Sequence, residues 1–237
     1  FYKNYLKIGL SGIIGGSGLG IAMITFIYSI TNTSAAVTLL CLAAMPFFTA
    51  LLAFLFLRER ISFNVWISII LASVGILIMA IGNTGEKSLA GFIFGLTSSI
   101  GFSIFSVTLR WKKETPKFTT VAFSGLFCFI FASIVILIKD QVFFASSYNG
   151  SLFSLHGTLV CFGLILYSIG SKAIPAAELT LLSLTEVVGG IFWVWLPIFG
   201  INEVPSTNTI IGGFFLFVSL IYYSLIMKWN KRYIALN

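Results

Sequence analysis

The sequence predicts an all-α membrane protein, a polytopic helical bundle built from two inverted repeats. Three observations carry that prediction. Hydrophobic residues make up 58% of the chain and charged residues 9%, where soluble domains hold roughly 45–50% and about 25%. No charge occurs from Ile8 to Leu57, a run far longer than the ~20 apolar residues that span a bilayer. One passage also occurs twice. Tyr28-Ser29-Ile30, Ala35-Ala36 and Thr38-Leu39-Leu40-Cys41-Leu42 return in order as Tyr167-Ser168-Ile169, Ala176-Ala177 and Thr180-Leu181-Leu182-Ser183-Leu184.

Turn residues must sit where water can satisfy the backbone, so polar, Gly/Pro and charged punctuation divides the apolar sequence into spans. Eight result: 8–30, 35–57, 63–82, 89–110, 119–139, 152–171, 176–199 and 208–227. The first follows Lys7, and no hydrophobic segment with a small-residue cleavage site precedes it, so no removable signal peptide is expected.

Lys and Arg concentrate on the cytoplasmic side of membrane proteins. With the N-terminus inside, twelve of the fourteen basic residues fall at cytoplasmic span ends: Lys3, Lys7, Arg58, Arg60, Arg110, Lys112, Lys113, Lys117, Lys172, Lys228, Lys231 and Arg232. Lys87 and Lys139 remain outside. This distribution places both termini in the cytoplasm, and the expected location is the plasma (inner) membrane. It also accounts for the formal charge of +7 without a nucleic-acid partner. The Arg110–Lys117 loop can attract anionic headgroups, so the lipid bilayer is the expected macromolecular surroundings.

An odd number of crossings separates the second and seventh spans, so the repeated blocks run in opposite directions. Inverted repeats are the architecture of many secondary transporters, with a solute site near the midplane between the halves. The second copy has two spans, 89–110 and 119–139, before its Tyr-Ser-Ile block, and the first copy has none. The expectation is a single transmembrane domain over 1–237, with an incomplete first repeat at 1–84 and a complete second repeat at 85–237. A native protein of five plus five spans follows, two of them preceding Phe1.

The order of motifs resembles the EamA-type repeat of the drug/metabolite transporter superfamily. A Tyr lies near a span end, and small residues open the next span. Pro46 falls mid-span, Phe56-Leu57-Arg58-Glu59-Arg60-Ile61-Ser62 follows, and Gly75 marks the span after. The second copy offers Leu184-Thr185-Glu186, Trp193-Val194-Trp195-Leu196, Glu203-Val204-Pro205-Ser206 and Gly212-Gly213. Two departures affect local helix geometry: the family's proline after the buried Glu is Val187 here, and the stretch before Glu203 is about two residues longer. The resemblance implies a ten-helix fold with a central cavity, moving amino acids, other small metabolites or drugs by alternating access.

A charge at mid-membrane costs roughly 2.5–3.5 kcal/mol and marks a cavity or a partner. Glu178 and Glu186 alone qualify. Glu178 follows Pro175 by three residues, where helix amides favour a carboxylate. Glu186 lies eight residues further, about 12 Å deeper in a continuous helix, and there capping would not explain it. Ser183, Gly190, Trp193 and Pro197 share its stripe. A carboxylate with an indole suits an amine or zwitterion, and a structural Glu bonded to a neighbouring helix is the alternative.

Ser99, Ser103 and Ser106 form a polar face on the fourth span, able to line a cavity or to pack helices closely. Tyr28 and Tyr167 fall at span ends, as belt residues or cavity walls. The predicted solute contacts are Glu186, Ser183, Trp193, Ser99, Ser103 and Tyr167. Five glycines, Gly12, Gly15, Gly16, Gly18 and Gly20, favour close packing of the first span. Arg58-Glu59-Arg60 reads as a topology anchor with local ion pairing.

Cys41, Cys128 and Cys161 lie inside spans without CxxC spacing, and His156 stands alone at a span end, so neither a disulfide nor a metal site is expected. No phosphate-binding loop or Ser/His/Asp set occurs. The sequence therefore predicts no enzyme and no cofactor. A passive channel or a membrane-embedded interaction protein is the other function class, since buried charge is scarce. The solute and the oligomeric state stay open.

Overall fold

The computed structural model describes residues 8–59, 61–82, 89–111, 116–140, 146–196 and 207–236, and no strand occurs among them. The first apolar run forms α1 (Gly9–Asn32). The second divides into α2 (Ala35–Leu42), α3 (Met45–Leu52) and a closing π-turn at Ala53–Leu57. Unbroken helices follow: α4 (Phe63–Gly82), α5 (Leu89–Trp111), α6 (Lys117–Ile138) and α7 (Ser147–Gly170). The seventh run divides again into α8 (Ala176–Leu182) and α9 (Leu184–Trp195), and α10 (Thr207–Leu236) completes the bundle.

Local chemistry sets several of these boundaries. Ser34 caps α2, its side chain accepting from Val37 N at 3.2 Å. Ser146 caps α7 in the same way through Asn149 N, so that helix opens five residues before the apolar run at 152. α1, α5, α6, α7 and the composite Val37–Leu57 are each long and apolar enough to cross a membrane, and shorter apolar stretches cover Phe63–Ile78 and Ile210–Tyr223. The protein is a polytopic all-α membrane protein.

Small residues bring the backbones together, as expected where lipid removes the hydrophobic drive between helices. α1 crosses α5 with Gly18 against Gly101, where a methyl on Gly101 would lie 2.5 Å from the Gly18 carbonyl oxygen. Ser98 Oγ donates to Ala22 O at 2.8 Å and Ser29 Oγ to Gly91 O at 2.9 Å, so the two helices run antiparallel. Gly12, Gly16 and Gly20 rest on Thr120, Phe123 and Phe127, which makes α1 and α6 parallel. α4 and α10 run antiparallel, with Gly75 against Gly212–Leu216 and Ser219 Oγ donating to Ser68 O at 2.7 Å. These directions are those of segments that cross a membrane alternately in chain order.

The two divided segments meet in the main core. α2 touches α9 and α3 touches α8, so the first half of each lies against the second half of the other. That is an antiparallel crossing. Leu39, Leu40, Leu181, Leu184 and Val187 fill it, with Leu216 and Leu220 of α10 behind. The two copies differ in cover: α1 buries nine residues, whereas α7, which carries the second Tyr-Ser-Ile block, buries Ser168 alone.

Candidate functional site

Both copies of the Thr-Leu-Leu motif end in a helix break. Ala43 and Ala44 have ψ near −10° and Ser183 has ψ −11°, tighter than the α-helical value of about −42°. The first break follows from Pro46, whose ring would clash with the Leu42 carbonyl of a continuous helix. No proline stands at the second. There Ser183 Oγ donates to Thr180 O at 2.7 Å and Thr185 Oγ1 to Leu182 O at 2.9 Å, but Thr108 and Ser124 make the same bonds inside the unbroken α5 and α6, so these bonds alone do not account for the break. Val187, where the resemblance led to the expectation of a proline, is 1% exposed in the core.

α5 backs the first break with hydroxyls. Ser99 Oγ donates to Cys41 O, and Ser103 Oγ donates to Met45 O at 3.1 Å, one on each side of Ala43-Ala44. Both serines are fully buried. Of the two roles open to this face, helix packing is the one that the geometry displays. One turn further, Ser106 Oγ shares a 2.7 Å hydrogen bond with Tyr167 Oη, and the Tyr167 ring packs against Phe102 and Phe105, which also touch each other. Tyr167 thus ties α7 to α5. Tyr28 instead meets Phe94 at a tilt of 34°, ring centroids 5.4 Å apart.

The second break changes the account of Glu186. A continuous helix would have left it mid-helix, yet α9 begins at Leu184 and Glu186 stands in its first turn, where the helix dipole favours a carboxylate; its own amide donates to Ser183 O at 2.9 Å. Glu178 stands likewise in the first turn of α8. The two acids differ in company. Glu178 Oε2 accepts from Tyr223 Oη at 2.6 Å, bonding α8 to α10. Glu186 is exposed, and among the described residues no cation pairs with it. A methyl on Gly190 would meet Leu39 at 2.9 Å, so this part of the stripe lies against α2. Trp193, one turn on, is 53% exposed beside Phe192. Ser183 is part-buried at the break, and Pro197 lies outside the described residues, as does Glu203.

Sequence reasoning missed one polar node. Arg110 Nε pairs with Glu59 Oε1 at 2.7 Å, and the same guanidinium donates to Ser171 O at 3.1 Å and to Ile174 O at 2.7 Å. Lys117 Nζ donates to Ser171 Oγ at 2.8 Å. The expected pairing was local, within Arg58-Glu59-Arg60. Arg58 instead takes a left-handed conformation, φ 54°, and the chain turns Glu59 toward α5. The available signal was Arg110 itself, a guanidinium inside the last helical turn.

Comparison with known proteins agrees with this architecture. Residues 2–81 match the EamA-like transporter family. An uncharacterized transporter of Clostridium kluyveri is 26% identical over 234 residues, which are 94% of this chain and 73% of that protein. An uncharacterized transporter of Helicobacter pylori is 29% identical over 115 residues, 48% of this chain and 37% of that one. The uncharacterized transporter YetK of Bacillus subtilis is 24% identical over 213 residues, 86% and 61% of the two. The chain thus spans under two thirds of the length of the last two relatives. Together the matches support a membrane transporter of the EamA/drug-metabolite type.

Proposed function

We propose that this protein is a secondary transporter that moves a small organic solute, such as an amino acid, an amine or a drug, across the inner membrane by alternating access. The observation that carries this reading is the pair of broken segments, α2–α3 and α8–α9, crossing antiparallel at the centre of the bundle. Discontinuous helices at a repeat interface are where many secondary transporters place their solute site.

In this account Glu186 attracts an ammonium group, Ser183 supplies a hydroxyl and Trp193 a ring face. Ser99, Ser103 and Tyr167 serve the site from α5 and α7 by fixing the first break and the wall beside it. Both termini lie in the cytoplasm, following the bias of basic residues.

Counterflow in proteoliposomes tests the reading. Liposomes preloaded with unlabelled solute should accumulate labelled solute transiently and saturably. A flux that rises linearly with concentration and shows no exchange indicates a channel. Complete absence of flux for amino acids, amines and cationic drugs would favour a membrane-embedded interaction protein.

A further inference from the structure

We propose that Arg110 and Glu59 form an ion-pair latch that holds one end of the solute pathway closed, and that movement of α8 releases it. This rests on the transport reading above, because a latch is needed only where two halves move against each other.

Three segments remote in sequence converge on one guanidinium. Glu59 follows the π-turn that ends the first broken segment. Arg110 ends α5. Ser171 and Ile174 form the connection from α7 to α8, and α8 begins two residues after Ile174. Arg presents a rigid fork of donors, so a single side chain holds all three while the geometry lasts. Any displacement of α8 carries the Ile174 carbonyl with it and opens the fork.

An apolar layer lies next to the polar one. Ala53 of the π-turn, Val107 of α5 and Ala176 of α8 pack together and are 0%, 5% and 1% exposed. They come from the same three segments that Arg110 joins. The node therefore closes the bundle twice, by charge at the rim and by contact one turn inward. The Arg110 and Glu59 side chains are 25% and 22% exposed, so water reaches the pair and replaces its bonds as it opens. A purely static role would be satisfying the carbonyls of the α7–α8 connection, which needs Ser171 and Ile174 but not Glu59.

Val107→Cys reports the difference. The full-length protein in proteoliposomes is treated with a small maleimide, and modification at residue 107 is followed by mass spectrometry, alone and combined with Glu59→Gln. Gln keeps the shape of Glu59 and removes its charge. The labelling rate should rise at least tenfold in the Glu59→Gln background. Arg110→Lys, which keeps the charge and loses the fork, should raise it too, with the melting temperature of each variant recorded. Rates within twofold of the parent in both backgrounds overturn the latch and leave the static role. The labelling needs no transport assay, so a latch that opens in a protein without counterflow would sink the transport reading alone.

Discussion

Replacing Gly101 by Ala puts the packing account to a quantitative test. A methyl there lies 2.5 Å from Gly18 O, 3.1 Å from Ala22 N and 3.2 Å from Ala22 Cβ, all on α1. Ordinary C···O approach is about 3.3–3.6 Å, so α1 and α5 must part by roughly 0.8 Å at the crossing. A gap of that size forfeits about a quarter to a half of each contact energy along the interface. It also stretches the 2.8 Å bond from Ser98 Oγ to Ala22 O. Overpacking of this kind costs about 1–3 kcal/mol. At about 2–4 °C per kcal/mol for chains of this size, melting should fall by roughly 2–12 °C. The assay is thermal unfolding of purified protein in detergent, read by light scattering and size exclusion. Gly125→Ala and Gly163→Ala are the controls, since a methyl at either position meets nothing within 4 Å. Those should be neutral or slightly stabilising through helix propensity. Gly101→Ala melting together with the controls would refute the backbone-to-backbone crossing.

Four further outcomes follow. Ser103→Ala should lower stability by about 0.6 kcal/mol, and at most about 1.7, the range for hydrogen bonds between membrane helices, while the half-saturation concentration of exchange stays the same. A raised half-saturation with unchanged melting would instead make Ser103 a solute contact. Tyr167→Phe keeps the ring contacts and loses the bond to Ser106, so a loss of about 0.5–1.5 kcal/mol is expected in the same melting assay. Glu186→Gln should reduce exchange of a cationic or zwitterionic solute tenfold or more, about 1.4 kcal/mol, in a protein that expresses and melts normally. Glu178→Gln should leave exchange nearly intact, because an amide oxygen still accepts from Tyr223; equal losses in the two variants would make Glu186 a packing residue.

Much of the fold was legible because apolar length and punctuation act locally. The charge-free run to Leu57 and the glycines of α1 announce a buried, closely packed helix, and that helix lies against α5 and α6. The breaks were half legible. Pro46 marks the first, but the second has only Ser183 and Thr185, whose hydroxyl bonds to the preceding turn also occur in the unbroken α5 and α6, so no residue announces it. That break matters for the site, since it gives Glu186 a helix terminus where depth alone suggested a lone charge in mid-helix. The serine face on α5 was visible by spacing, yet spacing could not say whether Ser99 and Ser103 face a cavity or the carbonyls of Cys41 and Met45. The Arg110 node was out of reach, because pairing Glu59 with a residue 51 positions away depends on the left-handed turn at Arg58.

The central claim is that the crossing of the two broken segments carries solute between two sides of a membrane. Counterflow by the full-length protein, reconstituted with Glu186 intact and as Glu186→Gln, measures this most directly. The account predicts transient, saturable accumulation of a labelled amine or amino acid with the parent protein, and a tenfold smaller response with the variant. Flux that is linear in concentration, or exchange that is indifferent to Glu186→Gln, would contradict it.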